Sequence, residues 1–426
     1  MDTASLNAGE VEFSIRIKPI AYVLVAGLLL RLFLAALPGF GIDMGSFQAW
    51  SLQLADRGPW SFYDQGFFAD YAPGYLYILL LFGGLNTVFQ FSDDRFQYLL
   101  KLPPIAADLA SAYLLYRLLE GQRPSVRLGA AALYLLLPAI LLIGPVWGQV
   151  DSLLAFFLLL TVYYFAKGRP VLASLAYVVG FLVKPQAVAA LPLFVFWLLR
   201  DYRPRAWLHA ASSSLAAGVF IVLPFFPQNP FNLVAELRNS ANVYQFNSFW
   251  AYNFWGLFGT LKGGVLAMFK PDDATFLGAS HFFWGIFLFL LASFAIIFVL
   301  REHRDPGHMA LGMALSVLAF FLFLTRMHER YLFPFFLPLL AAGVLLKSRL
   351  LGAVFVVLSV IHFFNLYHVY FYYNRYFDNP DLRPEPLFLM IDDRVFLFSL
   401  LTTLAFPALL LAGHLLAKRE GGEAEP

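Results

Sequence analysis

The 426-residue chain contains no cysteine. Disulfides, thiolate metal sites and cysteine nucleophiles are therefore excluded, and the chain is compatible with either side of a membrane. Charge is scarce too. Asp, Glu, Lys and Arg make up 13% of the residues, where a soluble globular chain carries about 25%. So few ionic groups cannot cover a water-facing surface. The net charge of +2 leaves no basic surplus for a nucleic-acid backbone, so no nucleic-acid partner is expected. Glycine-rich phosphate loops are absent, which argues against a nucleotide-consuming enzyme. What fills the chain is apolar: 60% hydrophobic residues, with 48 Phe, 21 Tyr and 8 Trp, and a mean hydropathy of +0.70. This is the composition of an all-α polytopic membrane protein, in which aromatic side chains suit lipid-facing packing and interfacial belts.

Apolar runs of about the length needed to cross ~30 Å of hydrocarbon fall at 19–37, 75–91, 97–119, 128–146, 150–166, 170–199, 206–226, 282–300, 309–325, 331–346, 350–370 and 394–416. They predict about 11–13 transmembrane helices. The first follows a polar N-terminus, 1–18, ending in Arg16 and Lys18, and reads as a retained signal anchor. Segment 170–199 is too long for one ordinary span, and Lys184-Pro185 interrupts it; proline there frees backbone groups and predicts a broken helix. The chain divides into a transmembrane module over 19–226 that includes an external loop at 38–74, a second long external loop at 227–281, C-terminal helices over 282–416 and a tail at 417–426.

Basic residues in short loops mark the cytoplasmic side. Arg200, Arg203 and Arg205, then Arg301 and Arg304, then Lys347 and Arg349, then Lys418 and Arg419 share one side by span counting. Segment 227–281, the turn at His328 and segment 371–393 fall on the far side. The N-terminal half allows two counts. If 170–199 crosses once, the turn Trp147–Asp151 faces the cytoplasm; if it crosses twice, that turn faces outside and one earlier span is re-entrant. Within the external loops, 45–57 and Asn242–Phe258 mix aromatic and polar residues as interfacial helices do.

Several polar residues carry chemistry or structure. Asp43, the first acid after span one, is placed to act as a general base on a hydroxyl or to cap the following helix. Asp70, ahead of Tyr71-Ala72-Pro73-Gly74, positions an acceptor hydroxyl or lies in a turn shaped for helix entry. Asp108, inside span three, is a functional candidate by its depth in the membrane or a structural partner of Arg31 or Lys184. Gln149 and Asp151 sit in a polar hairpin, as ligands or as a cap. Lys184 needs an anionic partner or a polar cavity, and a ligand phosphate would supply one. Arg326, His328, Glu329 and Arg330 form an ionic cluster suited to a lipid phosphate or to a snorkelling rim. The acids of the first loop, Asp43, Asp56, Asp64 and Asp70, are spread out, the histidines are scattered, and no metal site is expected.

Taken in order, these residues resemble the GT-C superfamily of membrane glycosyltransferases, most nearly the dolichyl-phosphate-glucose-dependent α-1,3-glucosyltransferases. Over about 40–345, Asp43 with Phe47, Gln48 and Trp50 is similar to that family's first-loop Asp and its following helix. Trp60–Asp64 and Asp70–Pro73 resemble its Trp-Tyr-Asp and Asp-Tyr-Pro-Pro elements. Phe181–Gln186 resembles a Phe-Lys-Gln element, Asn253–Trp255 an Asn-Phe-Trp element, and Thr325–Pro334 a His-Glu-Lys element with Arg330 in place of Lys. Trp147–Asp151 departs from the family and, with Lys184-Pro185-Gln186, looks more like prokaryotic relatives of glycosylphosphatidylinositol mannosyltransferases.

The resemblance implies a GT-C fold with two external loops carrying interfacial helices. It implies transfer of a hexose, glucose or mannose, from a polyprenyl-phosphate donor to a lipid-linked or polymeric glycan acceptor. The reaction would be an inverting single displacement without cofactor or metal. Asp43 would be the catalytic base; Lys184, His328, Arg330 and Arg326 would bind the donor phosphate; Asp70, Tyr71, Gln149, Asp151, Gln186, Asn253, Trp255 and Glu329 would hold substrate. The expected setting is a prokaryotic plasma membrane with the active site on the extracytoplasmic face. A transporter or flippase of a lipid-linked glycan or small solute is the alternative, since a broken helix with Lys184 and Asp108 at mid-depth suits one.

Overall fold

The computed structural model describes residues 18–63, 69–263 and 268–422. Arg16, Asp64 and the end of the acidic tail lie outside them. The described chain is almost wholly helical, and proline sets many of the helix starts, where its missing N–H costs nothing.

The first half comprises α1 (Pro19–Ala35), α2 (Gly41–Arg57), α3 (Pro73–Phe89), α4 (Asp93–Leu100), α5 (Leu102–Leu118) and α6 (Pro124–Leu136). A short α7 (Pro138–Leu141) continues as a widened turn to Trp147, followed by α8 (Asp151–Ala166), α9 (Pro170–Val183), α10 (Leu191–Asp201) and α11 (Pro204–Val222). The second half has α12 (Asn232–Ala241) and α13 (Phe254–Gly263), then α14 (His281–Leu300), α15 (Pro306–Phe323), α16 (Phe336–Leu345), α17 (Arg349–Phe371), α18 (Pro386–Asp392) and α19 (Val395–Gly422). Two short strand pairs tie the loops. β1 (Ser248–Phe249) runs parallel to β4 (Met327–His328), and β2 (Thr275–Phe276) pairs with β3 (Ala279–Ser280).

Among the described residues, four helices are long and apolar enough to cross a membrane, and the bent pair α6–α7 adds a fifth. Helices α1, α3, α8 and α9 are apolar but shorter. Fewer helices meet that length and hydropathy than the 11–13 spans expected, for local reasons, although shorter helices also traverse the bundle. Prolines break the runs at 170–199 and 331–346. Arg31 and Asp108, on α1 and α5, form a fully buried ion pair at 3.0 Å, which Ser152 supports with a 2.6 Å hydrogen bond.

The break at Lys184 is present. The chain leaves α9, passes through an extended Lys184 and a tight turn at Pro185–Ala190, and enters α10. The two helices run in opposite directions. Lys184 meets Asp151 at one end of the bundle, whereas Arg200, at the close of α10, donates to the carbonyls of Leu300, Arg301 and His303 at the other. Tyr202 reaches Phe165 O at that same end. Segment 170–199 therefore traverses the bundle twice, and the Trp147–Asp151 turn lies at the Lys184 end.

The re-entrant segment required by that count is 75–91. At its start, a Cβ on Gly74 would stand 2.6 Å from the Leu182 carbonyl, which places α3 against the end of α9. After α4, Lys101 bonds the carbonyls of Ala35 and Leu37, again at the Lys184 end. The chain makes no net crossing between them, and α3 packs along α2, where Gly83 faces the Ser51 carbonyl. The stretch Asn242–Phe258 also differs from expectation: helix begins only at Phe254, because Phe246, Ser248 and Phe249 pair with Arg326–His328 instead.

Candidate active site

Asp43 stands in the first turn of α2. Its Oδ2 accepts hydrogen bonds from Trp147 Nε1 at 2.6 Å and Gln149 Nε2 at 2.8 Å. Gln149 Oε1 in turn accepts from the Tyr71 hydroxyl at 2.7 Å and from Val150 N at 2.8 Å, so the orientation of the amide is fixed from both sides. The turn is tight. Gly148 adopts φ +92°, and a Cβ there would fall 2.2 Å from Met44 Sδ; only glycine fits both demands. Phe40 N donates to Trp147 O and the Phe40 ring stacks on the Trp147 indole, locking the start of α2 onto this turn.

Lys184 Nζ lies 2.7 Å from Asp151 Oδ1, and both side chains are buried. The ammonium also stands 6.0 Å from the Tyr71 ring centroid and 5.7 Å from that of Tyr331. Arg330 NH1 contacts Glu329 Oε1 at 3.0 Å and stands 3.4 Å from His328 Nδ1. Four buried atoms here have no hydrogen-bond partner among the described residues: Asp151 Oδ2, Gln186 Oε1, Glu329 Oε2 and Arg330 Nε. Buried polar atoms ordinarily find partners, and these four are grouped where a polar ligand would supply them.

Two cavities meet here. A cleft is lined by Asp70, Tyr71, Lys184, Gln186, Arg330 and Tyr331. It shares Asp70, Pro185, Gln186 and Tyr331 with a cavity of about 610 Å³. The larger one is lined by polar groups, among them Asp70, Gln186, Thr325, Arg326 and His328, and by apolar ones, among them Val188, Ile286, Phe320 and Leu324. Such a wall accepts a molecule with a polar head and a hydrocarbon tail.

Burial pushes the Asp70 carboxyl up, against the pull of Arg330, and it does the same to Glu329. His328 goes the other way: burial, then Arg330 and Lys184, hold its imidazole well below the ordinary value. It is therefore neutral near pH 7, and the positive charge of the site comes from Lys184 and Arg330. A histidine with a depressed native value stabilises the fold fully above its unfolded value of about 6.5 and loses that contribution as pH falls. Stability is expected to drop between pH 7.5 and 5.5, with His328 contributing at most about 1.4 kcal/mol per pH unit. Thermal unfolding of His328→Gln across that range should show a smaller drop.

Other expected residues also make structural contacts. Arg326 lines the larger cavity, and its guanidinium is engaged by Asp272 Oδ2 at 2.6 Å, Asn242 Oδ1 at 2.6 Å and Ala241 O at 2.9 Å, which straps the second loop down. Asn253 Nδ2 donates to Phe321 O and Trp255 Nε1 to Phe323 O, so both anchor that loop to α15. Conversely, Trp147, Tyr244 and Tyr331 border the site although none was given a role from the sequence; an aromatic in an aromatic-rich chain gives no signal by itself. His303, Asp305 and His308 bring ligand atoms within 4.8 Å of one another at the opposite end of the bundle. There Asp305 caps α15 through Gly307 N and His308 N and bonds His308 Nδ1 at 2.6 Å.

A carboxylate presented by two fixed donors, a buried lysine and arginine, and a cavity with polar and apolar walls thus lie together at one end of a polytopic bundle. The chain belongs to glycosyltransferase family 87, whose sequence model matches residues 69–326. It is 22% identical over 310 residues to an Arabidopsis thaliana dolichyl pyrophosphate Glc1Man9GlcNAc2 alpha-1,3-glucosyltransferase, covering 66% of this chain and 61% of that protein. The alignment thus spans less than two thirds of the relative. The crystal structure of ArnT from Cupriavidus metallidurans in the apo state aligns at 15% identity and a TM-score of 0.49, covering 94% of this chain and 77% of that one. The same protein bound to undecaprenyl phosphate aligns at a TM-score of 0.48, with 15% identity, 94% of this chain and 78% of the other.

Proposed function

We propose that this membrane glycosyltransferase has a GT-C fold and moves a hexose, glucose or mannose, from a polyprenyl-phosphate donor to a lipid-linked or extracytoplasmic glycan acceptor. The reading places it in a prokaryotic plasma membrane with the Asp43 end outward. The observation that carries it is the fixed Asp43 carboxylate beside the buried Lys184 and Arg330.

The donor's hydrocarbon lies along Val188, Ile286, Phe320 and Leu324, with its phosphate toward Gln186 and Arg330. Lys184 and Arg330 neutralise the charge that grows on the phosphate as the anomeric C–O bond breaks. Neutral His328 serves as a hydrogen-bonding group. Asp43 takes the proton of the acceptor hydroxyl, whose oxygen attacks the anomeric carbon from the opposite face, so configuration inverts in one step. The Asp43 Oδ2 lone pairs are held by Trp147 and Gln149, which leaves Oδ1 for the acceptor. The relative's name, a glucosyltransferase acting on a dolichyl pyrophosphate glycan, supports a lipid-linked acceptor.

The test is donor discharge. Purified protein is given a panel of polyprenyl-phosphate sugars with a membrane lipid extract. Release of free polyprenyl phosphate with one hexose donor, and a glycosylated lipid product of inverted configuration, is expected. Movement of intact lipid-linked sugar across a proteoliposome without discharge would overturn the reading.

A further inference from the structure

A second large cavity, of about 730 Å³, lies at the same end of the bundle. It is lined by Ala35–Gly39 at and after the end of α1, by Phe91 ahead of α4, and by Asp94, Arg95, Gln97, Tyr98, Leu99 and Lys101 on and after α4, and it shares no lining residue with the donor-side cavities.

Lys101 is its notable wall residue. The side chain is 2% exposed, and its ammonium is held by two neutral acceptors only, Ala35 O at 3.0 Å and Leu37 O at 2.6 Å. No carboxylate pairs with it among the described residues. A buried cation without a counter-charge is costly, and a third N–H is left over after two carbonyl bonds. Arg95 has no hydrogen-bond or ion-pair partner among the described residues either, and with Asp94 the only acid on this wall the three side chains sum to one positive charge. The cavity also touches the reaction machinery. Built Cβ atoms on Gly39 and Gly148 would lie 3.4 and 3.3 Å from the Lys101 stem, so that stem runs under the turn carrying Trp147 and Gln149.

We propose that this cavity binds a phosphate-bearing lipid headgroup, with the phosphate on Lys101 and Arg95 and the rest of the headgroup along Gln97 and Tyr98. This deepens the glycosyltransferase reading: with the donor phosphate assigned to Lys184 and Arg330, a second phosphate site that borders the Asp43 cradle and shares no lining residue with the donor-side cavities belongs to the lipid-linked acceptor. The attachment fixes how far the acceptor's sugar chain reaches toward Asp43.

The experiment uses the full chain in dodecyl maltoside micelles, which carry no phosphate, labelled by a benzophenone analogue of farnesyl pyrophosphate and mapped by peptide mass spectrometry. Labelling is expected on peptides containing 35–39 or 91–101, in addition to donor-cavity peptides around 237–244 and 282–286. Arg95→Glu, an exposed position, should cut labelling of the first pair at least fivefold and leave the second unchanged. Lys101→Gln keeps donors for the two carbonyls while removing the charge, and should have the same effect. Label confined to the donor-cavity peptides overturns the inference and leaves the donor reading standing. Equal labelling of 35–39 and 91–101 in wild type and both variants also overturns it, because Lys101 would then be only a cap on α1. Competition by phosphatidylglycerol at matched phosphate concentration would support the phosphate site and assign it to a bilayer headgroup, whereas competition by unlabelled farnesyl pyrophosphate alone supports the acceptor.

Discussion

Asp43→Asn is expected to lower kcat for sugar transfer about 10³-fold, the middle of the range for removing a general base. The substitution is nearly isosteric, and an amide oxygen can still accept from Trp147 Nε1 and Gln149 Nε2, so folding and the donor KM should stay within about twofold. What is lost is the basicity of the free oxygen. Trp147→Phe provides the complementary measurement. It removes one of the two donors that fix the carboxylate while keeping an aromatic ring against Phe40. With one of its two anchors gone, the carboxylate is held less firmly toward the acceptor hydroxyl, and loss of that orientation should cost about tenfold in kcat. The measurement is polyprenyl phosphate release in single turnover. If Asp43→Asn discharged donor within tenfold of wild type, Asp43 would not be the base.

Much of this arrangement was readable from residues. The lysine–proline step at 184–185 announced a break because proline removes a backbone donor, and the break delivers Lys184 to Asp151. The shared side read for Arg200, Arg301 and Arg304 is present as one end of the bundle, where Arg200 meets the 300–303 carbonyls and Arg304 pairs with Asp201 at 2.8 Å. What could not be read is pairing between distant segments. Nothing near residue 326 announces Asp272, 54 positions away, so the sequence showed a cavity arginine without the strap that its guanidinium also makes. A hydropathy window reports that 75–91 is apolar without saying that α2 covers one of its faces. Asn253 and Trp255 sit in a recognisable sequence pattern, yet their side chains point to the carbonyls of Phe321 and Phe323. Trp147 shows the converse: its indole N–H is useful only because α2 brings Asp43 across 104 positions.

Lys184→Met is expected to fail in two separable ways. First, it strips Asp151 of its partner in a buried setting, where breaking an ion pair costs about 3–5 kcal/mol; the variant should unfold well below wild type in a detergent thermal scan. Second, it removes a cation facing the leaving phosphate, and losing one such transition-state contact costs about 10²–10³-fold in kcat. The double variant Lys184→Met/Asp151→Leu separates the two. Replacing a buried pair by apolar groups of similar size is often neutral for stability, so the thermal midpoint should recover most of the way. Activity should not recover, because the charge at the phosphate is still missing and Arg330 remains the only cation of the pair. Discharge by the double variant at more than about a tenth of the wild-type rate would show that the Lys184–Asp151 contact is purely architectural, and would shift the phosphate role to Arg330 alone.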